Sequence, residues 1–130
     1  MNNLMKNKRG LVMGVANDKS IGWGIAKAIS DQGGELAFTY QGEALKKRVI
    51  PLADNVNSEI VLPCDVSNDE DIDNTFNELK KKWSKIDFLV HAIAFSDKDE
   101  LKGDYIDTSR ENFINTMDIS VYSFTAIARR

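Results

Sequence analysis

Between Gly14 and Gly24 the chain reads Gly-Val-Ala-Asn-Asp-Lys-Ser-Ile-Gly-Trp-Gly, three glycines where an apolar run gives way to a helical pattern. Glycine at such a place lets the backbone come close to a pyrophosphate. The helix that follows then offers free N–H groups and a partial positive charge. The spacing is not Gly-x-Gly-x-x-Gly, because seven residues separate Gly14 from Gly22. It is not a Walker loop either, since no Gly-Lys-Ser/Thr follows. A plain turn with close helix–sheet packing uses the same glycines, and the pattern alone leaves both readings open.

Three further features follow apolar runs. Gln41 comes after the second, Cys64-Asp65-Val66 after the third, and Ala92-Ile93-Ala94 closes the fourth. In open α/β sheets ligands bind at the C-terminal ends of the strands, so these residues and the glycine turn are expected along one edge. Asp65 serves equally well as a turn or cap residue before Ser67. Cys64 has no cation beside it in sequence to activate a thiolate and reads as a small buried hydrophobe. His91, inside an apolar run, reads as a hydrogen-bonded structural histidine. A single cysteine and a single histidine exclude an internal disulfide and a His/Cys zinc site.

The elements that must position these residues alternate. Leu11-Val12-Met13, Glu35–Tyr40, Ile60-Val61-Leu62 and Ile86–Ala94 read as strands, the last so apolar that both its faces should be covered. Gly22–Gln32 reads as a helix ended by the left-handed positions Gly33-Gly34. Glu43 to about Asp54 reads as a second helix, with Pro51 expected to kink or shorten it. Ser67 with Glu70 makes a capping box ahead of Ile72, Phe76, Leu79 and Trp83. Lys80-Lys81-Lys82 forms the solvated end of that helix, where cations suit the dipole. Asp97–Asp107 is polar loop. Thr108 with Glu111 makes a second box before one long helix through Phe113, Met117, Val121, Phe124 and Ala128, which has no stop signal. Strands separated by helical crossovers imply an α/β, doubly wound parallel sheet of about four strands in the order 3-2-1-4.

The 130 residues suffice for one domain, and no linker divides them. A composition of 42% hydrophobic and 28% charged residues is that of an ordinary globular protein. With 17 basic against 20 acidic residues the net charge is −3, which provides no footprint for nucleic acid and no basic face for a membrane. No apolar run approaches a membrane span or the core of a signal peptide, so a cytoplasmic protein is expected.

Several segments together resemble the N-terminal half of the bacterial enoyl-(acyl carrier protein) reductases, the divergent type of short-chain dehydrogenase/reductase. They are Gly14-Val15-Ala16 with Ser20–Ala26, Leu36–Gln41, Ile60–Leu62 with Cys64–Val66, and Asp87–Phe95. Gly103-Asp104-Tyr105 and Asp118-Ile119-Ser120 with Tyr122-Ser123-Phe124 add to them. The match runs from about Lys8 to Arg130. The tighter Gly-x-x-x-Gly-x-Gly turn and the Asn-Ala-Gly of the commoner short-chain enzymes are both absent.

The resemblance implies a Rossmann-type domain incomplete at its C-terminus, about half of a family fold. It implies NADH as cofactor and an enoyl group on acyl carrier protein as substrate, in fatty-acid biosynthesis. It implies a homotetramer when complete. By position, Gly14, Ser20 and Ile21 would hold the pyrophosphate and nearby ribose, and Gln41 the adenosine ribose. Asp65 would accept from the adenine amino group beside Val66. Ala92, Ile93 and Ala94 would run beneath the middle of the cofactor, and Ser96 would border the acyl substrate. The family's catalytic tyrosine and lysine are expected beyond Arg130. Tyr105 and Tyr122 lack a lysine seven positions on, at Asn112 and Arg129, and read as packing or cleft-wall residues. Another short-chain reductase, or a non-catalytic nucleotide-binding module, would carry the same half.

Overall fold

Side chains alternate across a strand, so a strand buried on both faces must be apolar at successive positions. Residues 9–13 meet that demand: Leu11 and Met13 join one core, Val12 joins the other, and all three are fully buried. The computed structural model describes residues 3–130. It places four strands, β1 (Arg9–Met13), β2 (Glu35–Tyr40), β3 (Ile60–Pro63) and β4 (Phe88–His91), in one sheet. All pairings are parallel, in the order β3-β2-β1-β4. Val12 stands opposite Phe38 on one side and Val90 on the other.

The helices cover both faces. α1 (Ile21–Asp31) and α2 (Glu43–Asn55) bury Ala26, Val49 and Ala53 against Val12, Leu36 and Phe38. α3 (Asp69–Lys82) and the end of the chain bury Ile72, Phe76, Leu79 and Ile127 against Leu11, Met13 and Ala37. Phe38 is fully buried, a contribution of about 1.5–3 kcal/mol. Gly33, in the left-handed region at φ +86°, ends α1: its N–H reaches the Ser30 carbonyl, and that of Gly34 reaches Ile29.

Several local expectations are corrected. α2 runs through Pro51 to Asn55, held by Val49 and Ala53 on either side of it. The N-cap of α3 is Asn68, whose side chain accepts from the Asp71 N–H at 3.0 Å, while Ser67 turns back to Asp65. The next helix, α4 (Arg110–Met117), is capped by Ser109 and not Thr108. In both boxes the expected cap is engaged elsewhere, the Thr108 hydroxyl on the Tyr105 carbonyl and Ser67 on Asp65, and the residue one position later accepts the helix N–H. Trp83 leaves α3 in an extended conformation and packs against the core from outside the helix. β4 is shorter than its apolar run and half-buried, because among the described residues only β1 pairs with it. A short 3₁₀ turn, Tyr105–Asp107, interrupts the polar loop. The long terminal helix is present but not uniform: α4 passes without a break through a π-helical turn, Asp118–Tyr122, into α5 (Ser123–Ala128).

Candidate functional site

The chain leaves β1 for β2 and β3 on one side and returns to place β4 on the other, so the sheet has a switch point between β1 and β4. Loops diverge there and leave a crevice at the strands' C-terminal ends. A cleft of about 480 Å³ occupies that place. Gly14, Val15 and Ala16 form its wall beyond β1, with Thr39 and Tyr40 at the end of β2 and Gln41 just beyond it. Cys64 and Val66 come from the end of β3, and Ala92–Phe95 from the end of β4.

Close backbone approach defines the wall between the two strands. Gly14 has φ +103°, and a Cβ there would fall on the Ala92 carbonyl. A Cβ on Gly22 would lie 3.3 Å from that of Ala92, so the first turn of α1 also sits against this segment. Gly24, expected to allow the same close packing, faces open space. Ser20 stands at the N-cap of α1 but makes no capping bond. Its Oγ accepts instead from the N–H groups of Ala16 and Asn17, each at 3.0 Å. The N–H groups of Ile21, Gly22 and Trp23 therefore have no partner among the described residues. The first turn holds no acidic side chain. Three free donors at a positive helix end, beside a glycine wall, suit an anion.

Six of the ten residues singled out from sequence share the cleft wall: Gly14, Gln41, Val66, Ala92, Ile93 and Ala94. Ser20 and Ile21 belong to the turn and helix end just described. Asp65, between two cleft residues, spends Oδ1 on Ser67, accepting from its N–H at 3.0 Å and its Oγ at 2.6 Å. The turn role is thus occupied, and Oδ2 has no hydrogen-bond partner among the described residues. Ser96 turns to α4, where its Oγ accepts from Asn112 Nδ2 at 3.1 Å and Thr116 Oγ1 at 3.2 Å. Beside Gln41, Lys46 leans back, with Nζ 4.0 Å from Glu43 Oε1 and 5.9 Å from the Tyr40 ring centroid.

The other titratable groups near the cleft do structural work. Burial pushes the Cys64 thiol up, so it stays protonated and is no nucleophile. His91 Nε2 lies 2.7 Å from Ser123 Oγ, and the Ser123 hydroxyl donates to the Ile119 carbonyl at 2.6 Å. The imidazole N–H is then the donor to Ser123, and burial lowers the His91 pKa. Tyr105 is 80% exposed rather than packed, and stands on the wall of another cleft, which also reaches Ser96. Asn115 and Ile119 close the cleft from the terminal helix, a contribution the sequence reading missed. The available signal was the polar set Asn112, Thr116, Ser120 and Ser123, recurring at helical spacing among apolar residues.

A parallel sheet with helices on both faces and a glycine turn at its switch point defines a Rossmann-like α/β protein. The model of the enoyl-(acyl carrier protein) reductase family matches residues 14–130, and the chain belongs to that family. It is 62% identical, over all of its 130 residues, to an NADH enoyl-(acyl carrier protein) reductase of Rhizobium meliloti, of which it covers 48%. The reductase of Anaplasma phagocytophilum, solved in complex with NAD, superposes with a TM-score of 0.94 at 55% identity, over 99% of this chain and 50% of that one. The Bacillus cereus reductase, solved with NADP⁺ and an indole naphthyridinone, gives 0.93 at 45%, over 99% and 51%. The chain thus spans about half the length of the curated relatives it matches. Among the described residues no helix is long and apolar enough to cross a membrane.

Proposed function

We propose that this chain is the nucleotide-binding half of an NADH-dependent enoyl-(acyl carrier protein) reductase of fatty-acid elongation, a single domain completed by sequence beyond Arg130. The observation that carries the reading is the unfilled N-terminus of α1 beside the Gly14 wall of the cleft. The residues fit a dinucleotide: a side chain at Gly14 would close the approach, and Ala92 and Ala94 keep the floor low. Bound NADH supplies the hydride for the enoyl β-carbon. This chain's share is binding and orientation.

The Ile21 and Gly22 N–H groups and the Ser20 hydroxyl hold pyrophosphate oxygens, with Gly14 allowing the contact. Gln41 meets the adenosine ribose. Asp65, through Oδ2, accepts from the adenine amino group, and Val66 packs on the ring. Ala92, Ile93 and Ala94 support the middle of the cofactor, and Ser96 borders the acyl chain. The tyrosine that stabilises the enolate and its lysine lie beyond Arg130. Acyl carrier protein delivers the substrate, the complete enzyme is a cytoplasmic homotetramer, and nucleic acid and membrane play no part.

The test is to express the complete reading frame, titrate it with NADH, and follow NADH absorbance with crotonyl thioester. Saturable binding with thioester-dependent NADH loss is expected. Binding without turnover on any enoyl thioester would turn the reading into a nucleotide-binding module. Failure to bind NADH would overturn it altogether.

A further inference from the structure

An amphipathic helix packed beside a sheet should present an apolar stripe to it. Beside its apolar positions Ile119, Ala126 and Ile127, the terminal helix presents a polar row, Asn112, Thr116, Ser120 and Ser123, at steps of 4, 4 and 3. Each meets the last residue of β4 or the segment that leaves it, in antiparallel order. Ser123 accepts from His91. Ser120 Oγ accepts from the Phe95 N–H at 3.0 Å and lies 3.3 Å from the Phe95 carbonyl, to which its hydroxyl donates. Thr116 and Asn112 both hold Ser96 Oγ, and Asn112 Oδ1 accepts from the Asp97 N–H at 3.0 Å.

This stripe is what fixes the segment. The Ala92 N–H still reaches the Met13 carbonyl at 2.9 Å, but residues 93–96 make no backbone–backbone hydrogen bond among the described residues. Among the described residues, Ser120 is the one side chain hydrogen-bonded to both backbone groups of Phe95, a cleft residue, and it stands in the π turn. π turns recur at functional sites because they break the regular ladder locally.

We infer that Ser120 is a positioning residue for the substrate side of the cleft. It locks the Phe95 backbone and thereby sets Ser96 where the acyl chain passes, while the cofactor floor at Ala92 is held separately by β1. The inference rests on the reductase reading above and adds a division of labour within it.

Ser120→Ala in the complete enzyme tests this. Loss of the two bonds should raise KM for crotonyl thioester by about five- to tenfold. NADH affinity should change less than about twofold, since the Ala92 anchor is untouched. Ser120→Thr, which keeps the hydroxyl, should recover most of the loss. An unchanged KM overturns the inference, as does a parallel loss of NADH affinity and melting temperature, which marks a merely structural role. If Ser120→Ala does not fold, Ser120→Cys, whose thiol bonds more weakly at the same place, is read instead: a KM rise of about threefold with NADH affinity kept supports the inference and none overturns it. Failure of wild-type enzyme to bind NADH would remove the reductase reading itself. Normal wild type with normal variants removes only this inference.

Discussion

Gly22 and Gly24 flank the same tryptophan but face different surroundings. A Cβ at Gly22 would press on Ala92 and Val15 at 3.3 and 3.4 Å, whereas one at Gly24 would meet nothing within 4 Å. Gly22→Val should therefore weaken NADH binding by about tenfold or more, at a smaller cost in stability. Gly24→Ala should leave binding unchanged and stabilise α1 by about 0.5–1 kcal/mol. Titration and thermal melting of both variants check the contrast, which fails if the two behave alike. Cofactor choice is also decided at the residue scale. A 2′-phosphate needs a free cation near the end of β2. Gln41 is neutral there, and the next cation along the chain, Lys46, leans on Glu43 and Tyr40. The ratio of kcat/KM should favour NADH over NADPH. The reverse ratio would show that Lys46 leaves Glu43 for the phosphate.

At the scale of elements, the entry into α3 is coupled to the third loop of the cleft. Asn68 caps the helix through the Asp71 N–H, and the Asp71 carboxylate accepts from the Asp65 N–H at 2.6 Å. Asn68→Ala should cost about 1 kcal/mol, and Asn68→Asp should restore it. The check is the urea midpoint at unchanged m-value; an unmoved midpoint would mean that the Asp71 contact alone holds the turn. The contact of β4 with α5 depends on pH. Burial holds the His91 pKa below its ordinary 6.5. Above that value both folded and unfolded chains are neutral at this site. Below it the unfolded chain takes up the proton first, so stability falls as pH drops until the folded imidazole also titrates. Urea midpoints at pH 7.5 and 5.5 should fall less for His91→Gln than for wild type. Equal falls would place the acid sensitivity elsewhere.

For the whole molecule, the open edge matters most. β4 pairs only with β1 among the described residues, and its residues are half-buried. Beside it a groove of about 430 Å³ opens between α3, β4 and α5, lined by Phe76, Trp83, Leu89 and Phe124. Phe113, Met117, Val121 and Phe124 are each 42–54% exposed. An unpaired apolar edge with an uncovered apolar face is a template for association. The 130-residue chain expressed by itself should aggregate or stay partly folded, and reduce no enoyl thioester at any NADH concentration. Size-exclusion chromatography and the crotonyl assay read the two halves. A sharp monomer peak would overturn the first, and turnover above buffer the second.

Periodicity and composition determined the architecture of this protein. Successive apolar residues at 11–13 and 36–38 demand a sheet covered on both faces, and helical spacing between the strands demands parallel crossovers. The glycine turn and the residues after each strand could be set on one edge for the same reason, since topology carries strand ends to one side. Sequence left open which neighbour caps a helix, because Ser67 and Asn68, or Thr108 and Ser109, are both competent caps, and only the partners that Ser67 and Thr108 find elsewhere, at Asp65 and the Tyr105 carbonyl, separate them. It could not show that Ser96 turns away to Asn112 and Thr116, or that Asp65 is half engaged by Ser67. Nor could it place Ser120 on the Phe95 backbone, 25 residues away in the chain. Those are contacts between elements distant in sequence, and only the packing of the terminal helix against the end of β4 decides them.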